Sequence, residues 1–562
     1  MSSFYDLASL VMIPSGKKAG KVYSQKPLST DGQLDFTRAS TATRIGSNGL
    51  IEKTRTNLLT YSNDFSNAAW IKGGSSVVSG FSSPNGTNNA YKLVEDSANS
   101  VHRIFGTSTV TASGYASISV YVKYNGRRYV LIRFADETVG RWYDLINGTL
   151  GGTYLGTPEN STIESVGNDW YRITLSNPCS SQARLELWVS DTESVSAYQG
   201  DGSSGAFIYG AQLEVGLVAT NYIDTTSAAV SVGSVNNMPR LNYTEGSATS
   251  CPSLLLEPQR TNLETKSEYF EGWSVASNVT RTTNYTISPD GFQTASRLQF
   301  TANGFCANTP QSLATYTISC YAKRNNTGTQ NVGFFTNGSG VVNSAWAVTS
   351  EWKRFSYTFP ALNGSFMGIA GVSGADISVY GFQIEGLGTY ATSYIPTFGA
   401  TVTRTQDICN KASISGLIGQ TAGTVFLDWV MNHESISTSE DFYSLALSDG
   451  TANKMILINN YNNALGVLIK EVSTQFYNNS FSGSDGLNIK LALAYANNDI
   501  ALYINGNLIA TDTSASIPTL NQINLNTYYN NVYADSSSVN NLMLFKSRLS
   551  NTQLAELTSL DS

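Results

Sequence analysis

Tyr209-Gly-Ala-Gln-Leu-Glu-Val-Gly216, followed by Ala219-Thr-Asn-Tyr-Ile-Asp-Thr225, is the stretch on which the fold is read, because it recurs. The second copy is Tyr380-Gly-Phe-Gln-Ile-Glu-Gly386, then Ala391-Thr-Ser-Tyr-Ile-Pro-Thr397. The offset is 380 − 209 = 171 for the first half and 391 − 219 = 172 for the second. Two motifs in one order at nearly one spacing mark a duplicated domain.

Working outward, each copy opens on the same four residues, Arg55-Thr-Asn-Leu58 and Arg260-Thr-Asn-Leu263. Ser83-Pro-Asn-Gly86 matches Ser288-Pro-Asp-Gly291, both with turn chemistry. Ala90-Tyr-Lys-Leu93 matches Ala295-Ser-Arg-Leu298, and Ile118-Ser-Val-Tyr-Val-Lys123 matches Ile318-Ser-Cys-Tyr-Ala-Lys323. Trp170-Tyr-Arg-Ile-Thr-Leu175 corresponds to Trp352-Lys-Arg-Phe-Ser-Tyr357. Apolar and polar residues alternate in these runs, β-branched and aromatic residues are enriched, and Gly, Asn or Pro bounds them, which predicts strands. Many short strands with scarcely a helix-period stretch imply two antiparallel β-sandwiches, over 55–225 and 260–405. Pro239, Pro252 and Pro258 make 226–259 read as a semi-extended linker. Residues 1–54 show no sustained pattern and read as an extended arm that docks on a partner.

The order Arg-Thr-Asn-Leu, Ile-Ser-Val-Tyr-Val-Lys, Gly167-Asn-Asp-Trp-Tyr-Arg172, Gly200-Asp-Gly202, Tyr-Gly-Ala-Gln-Leu-Glu, Ala-Thr-Asn-Tyr-Ile resembles the carbohydrate-binding-module-like β-sandwiches of bacteriophage virion, head-fibre and tail-fibre proteins. Phe36-Thr-Arg-Ala-Ser-Thr41, Pro239-Arg-Leu-Asn-Tyr243 and Leu254-Leu-Leu-Glu-Pro258 are similar to the same family, so the resemblance covers about residues 1–405. Copy two lacks the Gly-Asp-Gly element, and copy one ends Tyr-Ile-Asp where Tyr-Ile-Pro is usual, so the copies need not bind alike.

Residues 406–562 follow another pattern. Gly423-Thr-Val-Phe-Leu-Asp-Trp-Val430 reads as a buried strand, and Asn505-Gly506 supplies the turn of a hairpin over Ile500–Ile509. Ser550 is an N-cap candidate with Gln553 three residues on. The Tyr-Ile-Asn-Gly strand pair and the closing Leu-Ser-x-x-Gln-Leu turn resemble a concanavalin-A/laminin-G-like jelly roll. The predicted fold is therefore all-β: tandem antiparallel β-sandwiches of jelly-roll type behind an extended N-terminal arm.

Composition narrows function. Only 13% of the 562 residues are charged, the formal charge is −7 and the pI is near 5.1, so no broad basic surface is available to neutralise phosphates and nucleic acid is not an expected partner. The five cysteines are far apart and odd in number, which indicates neither a disulfide framework nor a zinc site. The apolar run from Leu7 to Ile13 reads as neither a signal peptide nor a membrane span. A composition of extracellular type without an export signal fits a virion component assembled in the bacterial host cytoplasm.

Enzyme signatures are sparse. Gly16-Lys-Lys-Ala-Gly-Lys21 has glycines too close for a P-loop, and His433-Glu434 lacks a second histidine for a zinc protease. Asp136 with Glu137, or Asp428 with Glu434, are the carboxylate pairs available to a glycosidase, with solvated loop carboxylates as the plainer reading. Glu214 and Glu385 are repeat-equivalent, which predicts a shared structural task. No cofactor or metal is expected, there being no Asp-x-Asp spacing to support calcium.

Sugars present C–H faces that stack on aromatic rings and hydroxyls that pair with amides. Trp142, Trp188 and Trp346, which lack repeat equivalents, and Tyr461, Asn462, Tyr528 and Tyr529 of the C-terminal clusters are the candidate glycan-binding residues. The resemblance implies a non-enzymatic fibre subunit, bound to other virion proteins through its arm, homo-oligomeric and by preference trimeric, and adhering to host-surface glycan or protein. A ligand-free capsid-decorating spacer and a polysaccharide depolymerase are the alternatives.

Overall fold

The computed structural model describes the chain except residues 1, 109, 112–113, 136–138, 180–181, 311–313, 329, 337–339, 343–345, 363–365, 387–389, 432–441, 462–463, 483–486, 535 and 561–562. The described residues are nearly all β, with α-helices only at Ser2–Leu7 and Asn551–Leu557. The second helix begins at Ser550, whose side chain and that of Gln553 form a reciprocal capping box.

In the first sandwich one sheet runs, in spatial order, Asn160–Gly167, Trp170–Cys179, Gly114–Asn125, Gly205–Val215, Ala90–Glu95, Ser75–Phe81. The facing sheet runs Thr149–Leu155, Val139–Asp144, Tyr129–Phe134, Leu185–Ser190, Arg103–Gly106, Trp70–Gly73. Alternate residues of the two inner faces, among them Ile118, Val120, Val122, Leu213, Val130, Ile132 and Leu187, make the core. The second sandwich repeats the arrangement, with Ile318, Cys320, Ala322 and Ile384 facing Phe334, Met367 and Ile369.

The repeated motif strand is thus central in its sheet, and its outward face is polar yet buried, because the motif residues bind one another. Asn57 Nδ2 donates to the Ile223 carbonyl at 2.8 Å while its Oδ1 accepts from the Leu213 amide at 3.2 Å. Asn262 does the same with Ile395 and Ile384. Gln212 accepts from the Ile223 amide and Gln383 from the Ile395 amide, both at 2.7 Å. Glu214 and Glu385 accept from the backbone and hydroxyl of Thr220 and Thr392, so their shared task is structural. A bulge falls at Ser119/Tyr121 and again at Ser319/Tyr321, opposite Gly210 (φ +58°) and Gly381 (φ +64°). A Cβ at either glycine would stand 3.2 to 3.3 Å from tyrosine rings, so glycine serves both the left-handed backbone and the close approach.

The C-terminal module packs an eight-stranded sheet, including Ser537–Phe545, Ala422–Met431, Asn488–Ala496 and Asp499–Ile504, on a nine-stranded one, including Ile408–Lys411, Gln522–Leu525, Phe442–Ser448 and Lys454–Tyr461. Asn505 and Gly506, both at positive φ, turn the chain between Ile504 and Asn507 as predicted.

Residues 1–54 are not a free arm. Leu10–Met12 pairs with Leu542–Leu544, Asp35–Thr37 of the strand Leu34–Thr37 pairs with Ile408–Asn410, and Leu10, Met12, Val22, Leu34 and Phe36 lie in the jelly-roll core. These strands of two to four residues are too short to carry a periodic pattern, and they complete sheets whose other strands lie hundreds of residues away. The 226–259 segment is likewise not only a linker: Arg240–Asn242 and Ser253–Leu256 form a hairpin that joins the eight-stranded sheet. Pro239 and Pro252 each stand just before a strand, where no ladder N–H is lost.

A smaller hairpin, Arg44–Ile45 with Ile51–Glu52, is its counterpart ahead of the first sandwich. Arg44 donates to Glu52 at 2.7 Å as Arg240 does to Glu257 at 2.6 Å. The duplicated unit therefore starts at the hairpin and ends at a short strand, Val230–Val232 or Val402–Arg404, paired to the opening Arg-Thr-Asn.

The first hairpin docks on the second sandwich. Ile51 packs on Tyr321, Tyr380, Tyr394 and Ala295, and the Lys53 ammonium lies 2.8 Å from Glu268, 2.6 Å from Asp290 and 3.3 Å from the Tyr380 hydroxyl. Burial alone would lower the Lys53 pKa, but Asp290 and Glu268 outweigh it and hold it above the ordinary lysine range. Sharing one ammonium, the two carboxylates diverge: Glu268 is raised by burial and Asp290 is lowered by Lys53 against its own burial.

Candidate functional site

The candidate site is a tyrosine loop on the outer face of the nine-stranded sheet. After the strand Gln522–Leu525 the chain crosses back over Phe442–Ser448, where Tyr443 bridges to Ala534. Tyr443 and Tyr528 have ring centroids 4.7 Å apart, Tyr528 and Tyr529 meet edge to face at 4.7 Å, and Tyr533 lies 6.1 Å from Tyr443. Tyr443 is buried and Tyr528 and Tyr529 are half-buried, whereas Tyr533 is 62% exposed.

The loop is held by backbone and amide bonds rather than by its rings. Tyr528 N–H donates to the Val532 carbonyl at 2.9 Å, and Asn531 N–H to the Tyr528 carbonyl at 3.0 Å. Asn531 (φ +63°) and Tyr533 (φ +55°) take the left-handed conformation that closes the turn. The Asn531 side-chain oxygen accepts from Asn410 at 3.0 Å and Asn524 at 2.8 Å, and its carbonyl accepts from Gln406 at 2.9 Å. Gln522 donates to the Tyr529 carbonyl at 2.9 Å. The loop backbone that carries the rings is thus set before any ligand arrives, which lowers the ordering entropy of binding. The exposed Tyr533 ring, with Tyr528 and Tyr529 half-buried beside it, suits stacking on a sugar ring or a peptide chain.

Of the residues singled out in the sequence, the structure brings Tyr528 and Tyr529 together. Trp142 (1% exposed) and Trp188 (4%) flank Leu131 on the outer face of a sheet of the first sandwich, where Tyr154 and Arg133 cover Trp188. Trp346 (4%) stacks on Phe355 at 4.7 Å within the second core. Lack of a repeat partner therefore signalled divergent packing, and none of the three presents a face to solvent. The Tyr461 side chain, Asn462, Asp136, Glu137, His433 and Glu434 lie outside the described residues. Asp428, its pKa raised by burial, accepts from Asn540 at 3.0 Å across the sheet. Sequence reading missed Tyr443, which comes from another strand, and Tyr533, which lies just beyond the Tyr528-Tyr-Asn-Asn531 cluster that could have led to it.

A cleft of about 780 Å³ lies elsewhere, between the first hairpin and both sandwiches. Most of the charged groups on its walls are engaged with one another, Lys53 with Glu268 and Asp290, and Glu52 with Arg44, so it reads as interface space. Among the described residues no group of three or more His, Cys, Asp or Glu could hold a metal ion, and no helix is long and apolar enough to cross a membrane. His102 is buried with its ring nitrogens against the Gly74 and Tyr198 carbonyls.

No family model matches the chain, and no curated protein matches it. Among solved structures, the CBM40 of Ruminococcus gnavus IT-sialidase bound to α2,3-sialyllactose is 18% identical over 26% of this chain and 91% of its own, with a TM-score of 0.23. The NanB sialidase of Streptococcus pneumoniae is 14% identical over 26% of each chain, and the botulinum neurotoxin serotype G binding domain is 7% identical over 27% of this chain and 39% of its own, each with a TM-score of 0.23.

Proposed function

We propose that the chain is a structural component of a bacteriophage particle, a head fibre or tail-associated fibre, that presents the jelly-roll tyrosine loop to a glycan or protein of the host surface. The observation that carries the adhesive part is Tyr533, exposed at the edge of a tyrosine cluster whose loop is locked by Asn531. The resemblance of the motif order to phage fibre proteins supports the particle assignment. With the N-terminal strands built into the jelly roll and the hairpin of residues 44–52 docked on the second sandwich, attachment to other virion proteins falls to a folded surface rather than to a free arm, and a trimer is the expected assembly.

The test is binding of the purified full chain to host cells and to isolated host polysaccharide, with Tyr533→Ala and Tyr529→Ala beside the parent. The expected result is at least tenfold weaker binding by the variants with unchanged melting. Equal binding by parent and variants overturns the loop assignment, and new reducing ends in the polysaccharide overturn the non-enzymatic reading in favour of a depolymerase. A capsid-decorating spacer is the second reading; the buried ion pairs that join the modules favour it, and it predicts no binding by parent or variants.

A further inference from the structure

The socket that Lys53 fills in the second sandwich exists again in the first, unplugged and with its hydrogen bonding reversed. Tyr121, Tyr209 and Tyr222 repeat Tyr321, Tyr380 and Tyr394, with Tyr209 and Tyr222 centred 5.7 Å apart where Tyr380 and Tyr394 are 5.6 Å apart. Tyr380 is 0% exposed and Tyr209 is 8%; Tyr321 and Tyr394 are buried, whereas Tyr121 and Tyr222 are half-buried. Around them Asn85, Asn89 and Asp224 are exposed.

The decisive change is Asp290 to Asn85. Both residues use Oδ1 in the same way, accepting from the serine two residues before and from the backbone amide two residues after. Their second atoms are therefore fixed. Asp290 Oδ2 accepts from the Tyr380 hydroxyl at 2.9 Å, whereas Asn85 Nδ2 donates to the Tyr209 hydroxyl at 2.9 Å. The Tyr209 proton is thus no longer taken by a carboxylate, and its hydroxyl meets the Asn85 and Asn89 side chains instead. Glu268 is likewise replaced by Asn63, whose oxygen accepts from the Gly210 amide. The remaining carboxylate, Asp224, accepts from Tyr222 at 2.9 Å at the exposed rim. Phe81 and Phe207, standing where the second copy has Thr286 and Ser378, pair at 4.8 Å and extend the aromatic floor over Trp170.

A cup that has exchanged two buried carboxylates for amides no longer suits an ammonium. One that offers aromatic faces, a phenolic donor and a rim acceptor suits a ring bearing adjacent hydroxyls. We infer that the Tyr121–Tyr209–Tyr222 cup of the first sandwich is a second ligand site, for a neutral sugar ring. It rests on the reading of the chain as a glycan binder but not on the jelly-roll loop.

The test uses the full chain and saturation-transfer NMR with methyl glycosides of glucose, galactose and N-acetylglucosamine, and with Nα-acetyl-lysine methylamide as the ammonium probe. Tyr209→Phe removes the donor, and Asn85→Asp, at an exposed position, turns the donor back toward the carboxylate. The expected result is transfer to at least one glycoside in the parent and in Tyr533→Ala, reduced at least fivefold in Tyr209→Phe and Asn85→Asp at unchanged melting temperature. Binding of the lysine probe without the glycosides, transfer insensitive to both cup variants, or no glycoside transfer overturns the inference. Host-cell binding that persists in these cases and is lost in Tyr533→Ala leaves the adhesive function standing, which separates the two failures.

Discussion

Arg38 donates to Asp407 at 3.0 Å with both side chains fully buried, joining the N-terminal segment to the connection that leads from the second sandwich into the jelly roll. Asp407 also accepts from Arg240, which donates to Glu257 at 2.6 Å, and Arg404 completes the set at 2.7 Å from Glu257. Three guanidinium groups and two carboxylates from four separated stretches thus meet where the jelly roll, the second hairpin and the second sandwich adjoin. Burying them is costly, and the cost is recovered only while every charge is paired.

Asp407→Ala leaves Arg38 and Arg240 each short of a carboxylate in a closed interior. The expected loss is about 3–5 kcal/mol, as for other buried pairs broken on one side. Calorimetry of the full chain checks it: the jelly-roll transition moves down, while the first sandwich, which contributes none of these five residues, keeps its own.

Removing residues 1–38 tests the integration of the N-terminus. A detachable arm could be cut with no effect on the modules. Here the cut strips Leu10, Met12, Val22, Leu34 and Phe36 from the jelly-roll core and deletes Arg38. The expected product binds a hydrophobic dye and is digested within 406–562, as read by fluorescence and limited proteolysis.

The duplication was legible because the repeated residues are buried polar groups that satisfy one another, and few residue types serve as Asn57, Gln212 or Glu214 do. The hairpins were not legible as repeats: Arg44 and Glu52 are 8 residues apart and Arg240 and Glu257 are 17, so loop length hides their equivalence. The N-terminal strands were illegible because their partners are remote in sequence. Tryptophans misled because Trp142 and Trp188 lie on an outer sheet face that other side chains cover, which no alternation pattern records. Tyr528 and Tyr529 stood out as a local cluster, while Tyr443 joined them only through sheet register.

Asp144 gives a pH test with a definite sign. Arg128, at 2.6 Å, together with the Asn147 and Ile146 amides, lowers its pKa from 3.8 to about 2. The folded state then binds fewer protons than the unfolded one, so the stabilisation is complete above 3.8 and is lost as pH falls through about 2. Asp144→Asn keeps the turn acceptor and removes the charge. The parent is expected to exceed the variant by about 1 kcal/mol at pH 7, screening included, with the gap closing toward pH 2 in paired melting curves.

Gly210→Ala and Gly381→Ala separate backbone cost from packing cost. Both glycines have left-handed φ, so alanine incurs about 1 kcal/mol at either site. Both would also push a methyl against tyrosine rings at 3.2 to 3.3 Å. At Gly210 the rings are Tyr121 and Tyr222, half-buried and able to shift toward solvent. At Gly381 they are Tyr321 and Tyr394, which are buried under the first hairpin, and Tyr394 also bonds Ser267 and Glu268. Gly381→Ala is therefore expected to destabilise its sandwich more than Gly210→Ala does, by about 1–3 kcal/mol of overpacking, and to loosen the Lys53 plug. Calorimetry gives the first comparison, and proteolysis at the hairpin gives the second. Equal melting shifts with no new cleavage near residues 44–53 would mean that the second socket is as yielding as the first, and that Lys53 is not what holds it shut.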